Sequence, residues 1–455
     1  MKALFPALPP PQDVNTLCVL SRPVGDQANC DKVVLSAAQA AARKIRCIGL
    51  LENPHQVVAT LHFAGAFSLL AYMVRATGWN PALAEVDLTQ RRVIESLIGP
   101  TTDKEWLQAT LPLSKGGLSL RPVEPFASTA LVAATIGALA PAEATSRSEH
   151  SLAFLNDKIV SDPSLTASHR AFLQRCLAGK VESSVSRKAP EPRKLQKLFS
   201  APLIDQTSDD LKESSSIQHR QLIEALQAKH CSSWIAPLPD AEEHDDIWLE
   251  PPEFVAVVRH RLDMPQAEQG ATCSLCRKVV LDTHSTHSLN CMGGGERIRA
   301  TNALRNCLAT IARESGVAVA TETSPFASEP TYRLDVVISQ GERRVGIDVA
   351  ITNARLTNPD SYEDVKFRRY AVAAARERRF ILLPVIGTTA CGWSAKSMTL
   401  FKEISMRIAA RYDLSFGTAL NRTMARLNRT VARNVGRILA RNAIQMPLGE
   451  VRVAG

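Results

Sequence analysis

Cys273, Cys276, His287 and Cys291 form a C-x2-C…H-x3-C series. Thiolate and imidazole are donors that Zn2+ prefers, four of them close a tetrahedral shell, and a C-x2-C pair supplies two from one tight turn. With no coordination position left open, such an ion would be structural rather than catalytic. His284 is an alternative nitrogen donor, but the four-residue offset between His287 and Cys291 suits a turn at the start of a helix and favours His287.

About forty residues further on, RLDVVISQGERRVGIDVAITN holds Asp335 and Asp348, separated by twelve residues. That is room for two strands and a turn, and alternate side chains of a hairpin share a face, so the two carboxylates can converge. Each is set among apolar residues, where an isolated charge is costly unless paired or bound to a metal. Two carboxylates with the carbonyl of Val349 would suit Mg2+, a hard ion with oxygen ligands. Phosphodiester hydrolysis uses such an ion, a positioned water and a nearby cation. Ala350 stands two residues after the second acid, where a lysine would complete that set, and Lys366 on the following segment is the substitute.

A third series is Arg422, Arg426, Arg429, Arg433, Arg437 and Arg441, at steps of three or four. Such a stripe is commonly a solvated face, but without balancing acids along its own helix it is a candidate nucleic-acid contact. The charge distribution agrees: the chain has a net charge of +9, and residues 361–445 carry 16 Lys/Arg against 5 Asp/Glu. A polyanionic partner follows from this, and a small-molecule substrate does not.

The elements that must position these residues are legible as patterns. Residues 31–140 show apolar residues at helical steps, with Asn53-Pro54 and Asn80-Pro81 marking helix starts. Residues 183–216 are rich in Ser, Pro and charge and are expected to be a linker or a poorly ordered connection. Helical pattern resumes before the cysteines. After them come a helix ending near Gly316, three strands, a helix (YEDVKFRRYAVAAARER) and a fourth strand. The longest apolar stretch is taken as residues 128–142, too short to cross a bilayer of roughly 30 Å. The first residues lack a secretory signal pattern, so an intracellular protein with no membrane association is expected. Ten cysteines in 455 residues do not make a disulfide scaffold.

The ordered series TTDKEWLQATLPLSKGGLSLRPVEPFASTALVAA, PPEFVAVVRHRLDMP, the cysteine series, GGGERIRATNALR and RLDVV…GIDVAITN with YEDVKFRRY resembles the C-terminal half of non-LTR retrotransposon polyproteins. The resemblance runs from about residue 22 to 440. It implies an α+β multidomain chain: a helical reverse-transcriptase thumb-like region at 1–145, a helical and linker region at 146–216, and a helical connector at 217–270. A zinc knuckle at 271–295, a restriction-endonuclease-like α/β core at 296–412, and a basic helix and tail at 413–455 would follow. In the family, a PD-(D/E)xK-type nuclease nicks target DNA and the freed 3′ hydroxyl primes copying of the element RNA. Asp335 and Asp348 match its acids, Lys366 its displaced lysine with Tyr370 one turn on, and Glu322 is an assisting acid. Zn2+ and Mg2+ are the implied ions, DNA and element RNA the partners, a homodimer is compatible, and the nucleus is the implied location. Leu334 replaces the motif's Pro, and no aromatic-x-Asp-Asp polymerase motif occurs. The alternative is a nucleic-acid-binding fragment whose nuclease has decayed.

Overall fold

The computed structural model describes residues 16–19, 22–25, 27–139, 147–183, 192–236, 247–326, 329–377 and 380–443. The chain divides into two compact units, one of residues 1–50, 60–94 and 120–209, the other of residues 51–59, 95–119 and 210–455.

In chain order the elements are β1 (Thr16–Val19), β2 (Arg22–Gly25), α1 (Gln27–Ile48), α2 (Pro54–Ala64), α3 (Ala66–Thr77), α4 (Leu83–Ile98), α5 (Asp103–Thr110), α6 (Ala127–Leu139), α7 (Arg147–Ser161), α8 (Ala167–Ser183) and α9 (Pro192–Glu213). Then follow α10 (Ile217–Leu226), α11 (Pro251–Arg261), α12 (Glu296–Glu314), β3 (Ala318–Thr323), β4 (Leu334–Gln340), β5 (Arg343–Thr352), α13 (Pro359–Arg376), β6 (Phe380–Thr388), α14 (Ala395–Tyr412) and α15 (Phe416–Ala440). The described residues are thus mixed α+β, mostly helical, with a four-stranded sheet and a two-stranded one.

Four expectations need correction. The N-terminal region is not all helical, because β1 and β2 pair antiparallel with Thr16 opposite Gly25. Pro23 lacks an N–H, which a two-stranded ladder tolerates because each strand is an edge. Much of the expected linker is helix α9: Leu195 and Phe199, four apart, are buried with Leu131, Leu155 and Leu173, and tertiary burial supplies what composition could not. Residues 184–191 of that stretch lie outside the described residues. The run from Pro54 is two helices, broken at Gly65, where a Cβ would lie 2.4 Å from Gln90 Oε1 and 2.5 Å from the Leu61 carbonyl. Gln90 Oε1 accepts from the Ala66 amide at 2.8 Å, replacing the helical bond lost at the break. Although residues 128–142 are the longest apolar stretch expected from sequence, among the described residues Pro54–Thr77 is also an apolar run long enough to cross a membrane by length and composition. Within it Val57, Val58, Leu61, Phe67, Leu70 and Val74 are core residues.

The Asn-Pro starts hold: Asn53 Oδ1 accepts from the His55 amide at 2.8 Å, and Asn80 Oδ1 from that of Ala82 at 3.0 Å.

The second unit holds the sheet, ordered β3-β4-β5-β6. Gly341, at φ 56°, makes the tight β4-β5 turn between Gln340 and Arg343, a backbone shape a side chain disfavours. β5 and β6 run parallel, joined through α13, as a parallel pair requires. β5 is buried along most of its length because α12 and α13 pack on it as well as its neighbouring strands. α15, expected as a terminal basic helix, packs against α11, α12 and α14. Gly436 permits this approach, since a Cβ there would meet the Glu253 carbonyl at 2.2 Å.

Candidate metal centres

The cysteine segment is a small hairpin. Thr272 bridges to Val280, the Cys273 amide donates to the Val279 carbonyl at 2.8 Å, and the Leu281 amide donates to that of Ala271 at 2.8 Å. Arg277 closes the turn at φ 55°, its amide on the Cys273 carbonyl at 2.8 Å, so both cysteines of the C-x2-C pair face inward from one bend. His287 and Cys291 flank a 3-10 turn, Ser288–Asn290, rather than opening an α-helix; α12 starts only at Glu296. Gly293 brings the returning chain against this bend, for a Cβ there would lie 2.7 Å from the Leu275 carbonyl and 2.8 Å from Cys276 Cα.

The ligand atoms of Cys273, Cys276, His287 and Cys291 all lie within 4.8 Å of one another. Bonds of roughly 2.3 Å in a tetrahedron put ligand atoms about 3.7 Å apart, so the group could hold a metal ion and is compatible with Zn2+. Cys276 Sγ is 3.3 Å from His287 Nε2. The amide of Lys278, then the His287 ring, lower the Cys276 thiol to about 6, so a thiolate is accessible near neutrality, while burial pushes Cys291 up to about 11. His284 is not in the group. Its Nδ1 lies 3.6 Å from Asp263 Oδ1, beside His219 at 3.1 Å from Oδ2 and the buried Arg355, which is also bonded to Asp263.

The register of the sheet places the aspartates. Val336 is opposite Ile347 and Val337 opposite Gly346, so Asp335 and Val337 of β4 share a face with Gly346, Asp348 and Ala350 of β5. α13 covers this face with Tyr370, Ala373 and Ala374, packed on Val337, Leu382 and Phe326. From one turn before Tyr370, Lys366 reaches in to place Nζ 2.9 Å from Asp348 Oδ2. Asp348 is buried, and the Lys366 ammonium is the charged partner of that oxygen. Asp335 Oδ2 accepts the Val349 amide at 2.6 Å, so Val349 contributes through its N–H.

Burial raises the Asp335 carboxyl above its ordinary range, and neighbouring Asp348 adds to this; the Val349 amide and Lys366 pull the other way. Tyr370 is pushed up to about 12, by burial first and by Asp348 next, so its hydroxyl stays protonated. Two acids, an ammonium and a phenol thus share one half-closed corner.

Glu322 joins a different contact. It falls between the pairs Thr321–Val336 and Thr323–Leu334, and with φ 53° it interrupts the strand. Its carboxylate is mostly exposed and pairs with Arg305.

The arginine series on α15 does not stand without acids. Arg437 holds Glu253 through Nε and Nη2 at 3.1 and 3.0 Å, Arg433 donates to the Trp248 carbonyl at 3.2 Å, and Arg441 lies 2.6 Å from Glu296. Arg426 pairs with Glu314, Arg429 is buried, and Arg422 is exposed. The balancing carboxylates come from α11 and α12, which the helix's own sequence does not reveal.

The Asp263 hub has no local sequence signal, because His219, His284 and Arg355 converge on it from separate segments and no spacing links them. Nor does spacing reveal the tie that fastens the knuckle: Asn442 accepts the Ser274 amide at 2.8 Å and donates to Ser288 at 3.1 Å.

No protein-family model and no characterised protein matches the chain.

Proposed function

We propose that the protein is a retrotransposon-derived, divalent-metal-dependent DNA endonuclease that nicks target DNA in the nucleus, with Zn2+ held by the Cys3His group as a structural ion. The nick would expose the 3′ hydroxyl from which element RNA is copied. The single observation carrying this is the convergence of Asp335 and Asp348, from adjacent strands, with Lys366 at 2.9 Å from the second acid. The resemblance of the ordered motifs to retrotransposon nucleases points the same way.

The donor set suits a hard cation. Asp348 is buried with Lys366 as its charged partner, and a divalent ion would relieve both the burial that chiefly raises Asp335 and the repulsion from Asp348 that adds to it. Mg2+ bound by Asp335 and Asp348 would neutralise charge building on the phosphorus. Lys366 orients the attacking water from the same face. Water adds to phosphorus, the P–O3′ bond breaks, the 3′ oxygen takes a proton, and a 5′ phosphate remains. Tyr370 buttresses the corner as a neutral group.

The test is conversion of supercoiled plasmid to the nicked form by the full chain in Mg2+ or Mn2+. Asp348→Ala and Asp335→Asn are expected to abolish it, and Lys366→Met to reduce it by about 10²-fold or more. A wild-type chain that leaves plasmid intact, or an Asp348→Ala variant that nicks equally well, refutes the proposal. Salt-sensitive DNA binding without cleavage in either ion would replace it with the binding-only alternative.

A further inference from the structure

The arginines that the sequence singles out on α15 are largely engaged with Glu253, Glu296 and Glu314, whereas a second set beside the carboxylate pair is not. On α13, Lys366 and Tyr370 face the sheet. At about 100° per residue, Arg368 points away from it and Arg369 and Arg376 lie together on one flank. All three are exposed, and among the described residues none is ion-paired with a carboxylate. Most acids of this segment are turned elsewhere: Glu363 pairs with Lys396, Glu377 just past the helix with Arg344 at 3.3 Å, and Asp360 accepts the Ala395 amide at 3.1 Å. Asp364, exposed one turn before Arg368, forms no ion pair with it and leaves the face net positive.

The same outer face leaves Val365 60% and Val372 69% exposed. A merely solvated helix face has no need of two bare valines, and an apolar protein contact has no need of three unpaired guanidinium groups. A groove of duplex DNA meets both, with phosphates for the arginines and base edges and sugars for the valines. The face is also continuous with the reaction corner: the Arg369 guanidinium lies 5.4 Å over the ring of Tyr370, whose other neighbours include the aspartates.

We infer that the outer face and flank of α13 form the DNA-docking surface, with Arg368, Arg369 and Arg376 gripping backbone phosphates of the duplex that is cut. The inference rests on the nuclease reading for its substrate, and assigns positioning roles that the α15 arginines were expected to hold.

The experiment measures binding of the full chain to a labelled DNA duplex by fluorescence anisotropy across a salt series, with Ca2+ in place of Mg2+. The triple variant Arg368→Ala, Arg369→Ala, Arg376→Ala should weaken binding by about tenfold or more and flatten the slope of log K against log salt by about 2 to 3, roughly 0.9 for each phosphate no longer neutralised. The corresponding triple Lys variant should keep most of the slope. Val372→Glu, an exposed change that leaves every arginine in place, should also weaken binding. Unchanged affinity and slope in the triple variant overturn the inference. So does binding to RNA but not to DNA, or a loss of self-association with DNA affinity unaltered, which would make the face a contact between copies. A wild-type chain that binds DNA through α13 but never nicks plasmid in Mg2+ or Mn2+ refutes the nuclease reading alone.

Discussion

Gly346 lies on β5 two residues before Asp348 and on the same face, opposite Val337 of β4 and Leu382 of β6. A Cβ added there would sit 2.3 Å from Phe380 Cζ and 2.4 Å from Leu334 Cδ1. Carbon atoms settle at roughly 3.5 to 4 Å, so both neighbours must retreat by about 1 Å or more. Leu334 is fully buried and has no open space to enter, and Phe380, partly buried against the same cluster, must shift its ring to make room. Overpacking of this kind costs about 1 to 3 kcal/mol, while replacing a strand glycine by alanine returns about 0.5 to 1 kcal/mol of chain entropy. With two neighbours inside 2.5 Å the upper part of the overpacking range applies, so Gly346→Ala should destabilise the second unit by about 1 to 2.5 kcal/mol, measured by urea unfolding.

A double-mutant cycle with Leu334→Ala isolates the cause. Leu334→Ala alone leaves a cavity and should cost about 2 to 5 kcal/mol. Combined with Gly346→Ala the loss should fall short of the sum by about 1 kcal/mol or more, because the new methyl group occupies vacated space. A neutral or stabilising Gly346→Ala, or strict additivity in the cycle, would refute the packing argument. Leu334 immediately precedes Asp335, so plasmid nicking by the Gly346→Ala chain should fall further than its folded fraction does.

Three other outcomes are expected. His55 accepts the Leu249 amide at Nδ1 and contacts the Trp234 and Ile235 carbonyls through Nε2, and burial lowers its pKa to about 4; between pH 6.5 and 4 the unfolded chain binds a proton that the folded ring refuses. Stability contributed at His55 is thus intact above pH 6.5 and falls by about 1.4 kcal/mol per pH unit on acidification to 4, and an NMR titration placing the ring near 6.5 would contradict this. The chain should bind about one equivalent of zinc, released by a strong chelator and absent from Cys291→Ser, while His284→Ala keeps it; elemental analysis giving the reverse for His284 would exclude His287 as the nitrogen ligand. Gly293→Ala should impair zinc retention far more than Gly270→Ala, since a Cβ at 293 meets Cys276 Cα at 2.8 Å and one at 270 meets nothing within 4 Å, and equal retention in a competition titration would count against that crowding.

What could be read in the sequence was whatever a short stretch of chain determines by itself. The C-x2-C turn is local, and so is the alternation that put Asp335 and Asp348 on one face of a tight hairpin; both were legible from spacing. The position of Lys366 required only that the crossover helix return over β5, which a parallel strand pair forces. The errors share the opposite character. Helix α9 looked like a linker because its own residues bury little, yet Leu195 and Phe199 complete a core built by Leu131, Leu155 and Leu173. The α15 arginines looked unbalanced because their acids belong to other helices, Glu253 lying 184 residues from Arg437 along the chain. His287 rather than His284 is in the group, as the spacing suggests, but for a different reason: His287 and Cys291 flank a 3-10 turn, and Asp263 draws His284 away. Even the departure at Leu334 has a tertiary reason: that side chain fills the space Gly346 leaves open, so a residue that looks like a damaged motif from its neighbours is a packing element of the corner that holds Asp335.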